Sequence, residues 1–195
     1  ARFYRIMLVW PYALSPVIAG TIFQLLLNPS AGVVNHVLEE LFGFTVPWLL
    51  DPNIAPITVI ITAIWNIMGY NILFYIAGLQ NVPKDLQEAA AIDGANPLQV
   101  FWRITFPSIK LVLLLQFMLS LVGSLEVFEI PLLITAGAGK TSTFAIEMVQ
   151  TGFQFRRAGT AAAMAVFMLF IVVTLFLVTR VVTRSRDRDA ARSLL

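Results

Sequence analysis

No cysteine occurs among the 195 residues, so neither a disulfide framework nor a thiolate metal site can form within this sequence. There is one histidine, His36, and a lone imidazole does not make a metal site. Its place in a loop helix fits a solvated side chain. Charge is scarce. Only 12% of residues are Asp, Glu, Lys or Arg, against about 25% in soluble domains. The net charge is +2. The pI near 9.2 therefore comes from few charges and not from a basic face, and no nucleic acid partner is implied. The opening ARFYRIMLVW has no small-residue cleavage site, so no cleavable signal peptide is expected. What is abundant is apolar: 58% of residues, with a mean hydropathy of +0.83. A chain of this composition belongs to the membrane class.

Four segments are long and apolar enough to cross a bilayer: roughly Ile6–Leu27, Pro56–Leu79, Leu111–Ile134 and Gly159–Val182. About 22 residues at ~1.5 Å each reach ~33 Å, enough for the hydrocarbon core. The expected fold is all-α: one transmembrane helical bundle over residues 1–195, with four spans. Pro11 and Pro16 predict a kink in the first.

Lysine and arginine predict the direction. Arg2 and Arg5 flank the first span. Lys84, Arg103 and Lys110 lie in the second connection. Arg180, Arg184, Arg186, Arg188 and Arg192 lie in the tail. The first connection holds none, and the third holds Lys140, Arg156 and Arg157. The bias places both termini and the second connection in the cytoplasm. In the first connection Ser30 can cap a short helix with Val33, Val34, Val37, Leu38 and Leu41 on one side. That helix lies at the interface or packs on the bundle. Trp48 suits headgroup level.

The second connection, residues 83–107, is too long and too patterned for a plain loop. Pro83 suits a first helical turn, and Asp85 and Glu88 favour its positive end. Gly94 ends that helix. Asn96 caps a second one, with Pro97 at its first position and Leu98, Phe101, Trp102 and Ile104 at helical spacing. Pro107 closes it. Ala89, Ala90, Phe101 and Trp102 then need something to pack on: the bundle, lipid, or a separate cytoplasmic protein.

The spacing Glu88-Ala89-Ala90, Gly94, Ile104 and Pro107 resembles the EAA loop of the membrane subunits of bacterial binding-protein-dependent ABC importers. Phe106 stands where the motif usually has leucine. The stretches FYRIMLVWPYALSPVIAG, LLNPSAGVVNHVL and GLQNVP resemble the carbohydrate-uptake branch, which includes disaccharide and glycerol-3-phosphate permeases. The resemblance implies a multi-pass protein of the bacterial inner membrane whose loop docks on an ATPase. It assigns that contact to Glu88, Ala89, Ala90, Asp93, Gly94, Phe101, Ile104 and Pro107. It also implies a second permease subunit, two ATP-binding cytoplasmic subunits, an external solute-binding protein and surrounding lipid. ATP and Mg sit on the partners, and this chain binds no cofactor or metal. Such permeases usually have six spans. This sequence starts where the third one does, so two more are expected ahead of it, unless the protein is shortened.

Acidic residues inside a span are costly and usually functional. Glu126 and Glu129, at i,i+3 in the third span, are expected to share one helical face. They line a pathway or sit at its outer boundary in water. In the family an acidic residue is often followed by threonine and a glycine-rich turn. Glu129 and Thr135 match that pattern, with GAGK as the turn. In the second span Thr58, Thr62, Trp65, Asn66, Gly69 and Tyr70 form a stripe that suits either a sugar or helix packing. Asn66 and Tyr70 are its candidate substrate contacts. Two carboxylates near a pathway favour a neutral sugar over glycerol-3-phosphate. Ile134–Thr141, ITAGAGKT, imitates a phosphate loop but lacks its first glycine and follows a membrane segment, not a strand. No catalytic constellation is present. The rival classes are a secondary transporter or channel, which needs repeated halves and ion-coupling charges, and a non-transporting membrane scaffold.

Overall fold

The computed structural model describes residues 2–192, with side-chain surroundings described from residue 6 to residue 180. Part of the charge bias, at Arg2, Arg5, Arg184, Arg186, Arg188 and Arg192, lies outside the described side chains. Among the described residues every regular element is a helix, as the hydropathy pattern predicts.

The first expected span is two helices. α1 (Arg2–Ala13) and α2 (Pro16–Leu26) are bent by 100°. Pro16 has no N–H to give back to the preceding turn, and its ring holds Ser15 extended at φ −59, ψ 144. The Ser15 hydroxyl accepts from the Val17 N–H at 3.2 Å and caps the new helix. The expectation of one kinked helix is therefore corrected to a sharp break.

α3 (Val33–Phe42) begins after Gly32 without a side-chain cap. The expected cap, Ser30, instead donates to Asn28 Oδ1 at 2.9 Å. The helix is held by Asn35, which is buried. Asn35 Oδ1 accepts from the Val46 N–H (3.1 Å) and from Trp48 Nε1 (2.9 Å), and its amide donates to the Val46 carbonyl (2.9 Å).

α4 (Ala55–Gln80) runs unbroken. α5 (Lys84–Ile92) and α6 (Pro97–Val100) follow. A π-turn over Phe101–Thr105 then leads directly into α7 (Phe106–Glu126). Pro107 thus does not close the finger. It sits inside a continuous helix from Pro97 to Glu126. Its missing N–H removes the bond to the Arg103 carbonyl, and the wider turn that precedes it accommodates the ring.

The third expected span is also broken. α7 ends at Glu126, and α8 (Glu129–Thr135) starts after two non-helical residues. Pro131 cannot donate to the carbonyl of Val127, and that carbonyl instead accepts from the Thr143 hydroxyl at 2.8 Å. Glu126 and Glu129 therefore do not share a helical face. α9 (Phe144–Val149), a second π-turn (Gln150–Gln154) and α10 (Ala158–Arg192) complete the chain. Among the described residues three helical stretches are long and apolar enough to cross a membrane: Ala55–Gln80, Pro97–Glu126 and Ala158–Arg180. The bent α1–α2 pair makes a fourth if it counts as one span.

The chain falls into two compact units. The first takes the chain up to Phe117 together with Glu129–Thr141, and the second takes Met118–Phe128 and the chain from Ser142 onward. In the first, Leu49, Val59, Ile130 and Ile134 form a core, with Phe23, Leu27 and Trp48 against it. Small residues let helices close on one another, as membrane packing requires. A Cβ on Gly69 would lie 2.8 Å from Val9 Cα, and one on Gly20 would lie 3.1 Å from Leu133 Cβ. In the second unit Gly152 lets the π-turn meet Ala161 of α10, and Phe144 packs near Phe167 with ring centroids 6.3 Å apart.

Candidate functional site

Residues 83–106 are shaped by local chemistry at every step. Pro83 is the N-cap of α5, extended at φ −60, ψ 124, and Asp85 sits in the first turn. Asp85 is well placed against the positive end of the helix. The helix ends in a Schellman turn: Ala95 N–H donates to the Ala90 carbonyl (3.0 Å) and Gly94 N–H to the Ala91 carbonyl (3.1 Å). Gly94 takes φ +79, a conformation that suits glycine. Two residues later the chain starts again with a complete capping box. Gln99 N–H donates to Asn96 Oδ1 at 2.8 Å, and Asn96 N–H donates to Gln99 Oε1 at 2.9 Å. Pro97 stands at the first helical position.

The result is a rigid knuckle with no hydrophobic interior. Neither α5, α6 nor the π-turn buries a residue. Ile92 is 86% exposed, Leu98 67% and Trp102 57%. Phe101, Trp102 and Phe106 cluster, with centroids 5.2 to 6.4 Å apart. Glu88, Ala89, Asp93, Gly94, Phe101 and Pro107 are exposed, and Ala90 and Ile104 are half-buried. A shallow groove of about 450 Å³ opens between the arms, with Asp93 and Arg103 on its walls.

The expected pathway residues fall at separate places. Asn66 is buried in α4, and its amide donates to the carbonyls of Pro11 (3.1 Å) and Leu14 (3.3 Å). Those carbonyls flank the α1–α2 break. Tyr70 is half-buried between Tyr12 and Phe74, at 5.4 and 6.1 Å. Trp65 meets Trp10 and Phe23. Thr58 and Thr62 give their hydroxyls to Ile54 and Thr58 carbonyls one turn back. The α4 stripe thus packs against α1 and α2. Thr135 is buried, donates to the Pro131 carbonyl at 2.8 Å, and bonds to the Thr141 hydroxyl. Glu126 and Glu129 are exposed.

Sequence reasoning missed Asn35 and Asn71. Asn71 accepts from Gln116, which is buried in α7 with its own Oε1 unpartnered. The stretch Ile134–Thr141 is a helix end followed by a turn in which Ala136, Gly137, Gly139 and Lys140 all take positive φ. It follows a helix, not the strand that a phosphate loop requires.

The family model described as "Binding-protein-dependent transport system inner membrane component" matches residues 3–188. The sn-glycerol-3-phosphate transport system permease protein UgpA of Rhizobium meliloti is 37% identical over 176 residues, covering 89% of this chain and 60% of that protein. The UgpA of Salmonella choleraesuis is 34% identical over 184 residues, covering 91% and 61%. A bacterial ABC transporter involved in the import of the acidic polysaccharide alginate superposes with a TM-score of 0.86 at 26% identity, covering 94% of this chain and 65% of that one. The chain therefore spans about three fifths of the length of the curated relatives it matches.

Proposed function

The chain belongs to the family of binding-protein-dependent transport system inner membrane components, and from that premise we propose that it forms half of the translocation pathway of an ATP-driven ABC importer. The observation that carries this reading is the knuckle of α5 and α6. It is fixed by a Schellman turn and a capping box, yet it buries none of its own side chains. Such a surface is preorganised for a partner. The partner is a cytoplasmic ATPase, present twice, that carries ATP and Mg. Its closure moves the knuckle, and the unbroken helix Pro97–Glu126 carries the movement into the membrane. Both termini of this sequence then lie in the cytoplasm. A second permease subunit supplies the other half of the pore, and an external solute-binding protein delivers the substrate. This chain holds no nucleotide.

The substrate is a sugar or small oligosaccharide. Exposed Glu126 and Glu129 favour a neutral one, because carboxylates near the path repel anions. A second reading, sn-glycerol-3-phosphate, is favoured by the names of the UgpA relatives. Calorimetry of the cognate binding protein against sugars and glycerol phosphates separates the two. Uptake into cells tests the machinery itself. Glu88→Arg abolishes co-purification of the ATPase and ATP-dependent uptake; normal uptake in that variant refutes the coupling role of the knuckle.

A further inference from the structure

We propose that Arg156 and Arg157, with Phe153 and Phe155, form a binding site for the phosphate headgroup of an anionic phospholipid at the start of α10. The site lies wholly within the second compact unit. Phe153 is 83% exposed and Phe155 63%. Both arginines are exposed, and among the described residues neither guanidinium has a hydrogen-bond or ion-pair partner. The acid of the neighbouring helix is engaged elsewhere: Glu147 accepts from the Ser142 hydroxyl at 2.6 Å.

The backbone holds these four side chains in place. Phe155 N–H donates to the Gln150 carbonyl and Arg157 N–H to the Thr151 carbonyl, both at 2.9 Å. Gly152 brings the π-turn onto Ala161, so the segment is pinned to the first turn of α10. Arg156 takes φ +53, a left-handed conformation that is costly for a residue with a Cβ. Nothing in the packing requires arginine there; glycine would adopt it without strain. Strain retained at such a position points to a function for the side chain.

Continuity identifies the occupant. Directly after Arg157 begins the apolar stretch of α10, Ala158–Arg180, 23 residues with a mean hydropathy of 2.9 and no residue buried inside the chain. A helix of that length and character crosses the hydrocarbon core. Its first turn therefore sits at the boundary between acyl chains and headgroups. At that depth exposed phenylalanines are covered by lipid, and arginines reach the phosphates. Two adjacent guanidiniums prefer a lipid with net negative charge. The placement does not depend on what the protein transports.

The test uses the protein with the subunits that co-purify with it, in nanodiscs of equal parts phosphatidylcholine and phosphatidylglycerol. A photoreactive benzoylphenylalanine replaces Phe153, and mass spectrometry identifies the adduct. The expected adduct is phosphatidylglycerol in preference to phosphatidylcholine. Arg156→Gly, which removes the charge and relieves the backbone, lowers that preference about fivefold. Adding Arg157→Gln lowers it about thirtyfold in total. A cross-link to another protein subunit, no adduct, or an unchanged lipid ratio in the double variant each overturns the proposal.

Discussion

The amide of Asn66 donates to the carbonyl of Pro11 across 55 residues of sequence, at 3.1 Å, and to that of Leu14 at 3.3 Å. The helix breaks ahead of Pro16, and one buried side chain from α4 bonds two carbonyls beside that break. Inside a membrane no water replaces such a bond. Asn66→Leu keeps the volume and removes both bonds, and the Pro11 carbonyl keeps only the Leu14 N–H at 3.2 Å. It is expected to destabilise the protein by about 1–2 kcal/mol. Thermal unfolding of the detergent-purified protein checks this. An unchanged midpoint removes Asn66 from the structural role assigned to it.

Gly69 lies one turn further along the same face of α4. A Cβ there would approach Val9 Cα to 2.8 Å and the carbonyls of Leu8 and Val9 to 2.9 Å. These are backbone atoms, so they cannot swing aside. Gly69→Val is expected to cost about 1–3 kcal/mol. Gly123 of α7 has nothing within 4 Å of the same ideal Cβ. Gly123→Ala is expected to leave stability unchanged or raise it by up to ~1 kcal/mol, from helix propensity alone. The pair is measured together by thermal unfolding. Equal effects rule out close approach as the reason for the glycine at 69.

What was legible in the sequence was local. The knuckle could be read because its chemistry is written within a few residues: Gly94 for the helix end, Asn96 for the cap and Pro97 for the first turn, while the partner of that cap, Gln99, went unread. α4 and α10 could be read because unbroken apolar runs of span length have few alternatives. The break at Glu126 was concealed because Glu126 and Glu129 were read as pathway charges within one span and not as its end. The proline rule could have found it, since Pro131 frees the carbonyl four residues back, at Val127. Pro107 was read as a stop because a proline ends an isolated helix, whereas here a π-turn absorbs it. The stripe through Asn66 stayed ambiguous. A polar residue on an apolar helix suits a sugar and a freed carbonyl equally well, and its partners lie more than 50 residues away. The left-handed Ala136, Lys140 and Arg156 carry no composition signal at all.

Asn35 makes three bonds of good length to the returning segment of its own loop, to the Val46 N–H and carbonyl and to Trp48 Nε1. No single apolar replacement satisfies these groups. Asn35→Leu is expected to cost about 3 kcal/mol, the sum of small penalties for buried donors and an acceptor. The loss is confined to the connection between α3 and α4. Hydrogen–deuterium exchange reports it directly: the Val46 amide loses protection while amides in the middle of α4 keep theirs. Retained protection at Val46 means that the loop is held by its apolar contacts and not by Asn35.

Gly94 separates backbone geometry from side-chain crowding. Its φ is +79 and nothing lies within 4 Å of an ideal Cβ, so any substitution there acts through the backbone alone. Asparagine enters the left-handed region readily, while a β-branched residue does so at about 1–2 kcal/mol or more. Gly94→Asn is therefore expected to keep most ATP-dependent uptake, and Gly94→Val to lose most of it. Neither shifts the thermal midpoint much, because the knuckle buries no residue whose packing could be lost. A splayed knuckle no longer presents α5 and α6 at one angle, so an ATPase groove that fits both arms rejects it. Equal uptake in the two variants, at equal expression, shows that the partner reads only one arm or neither.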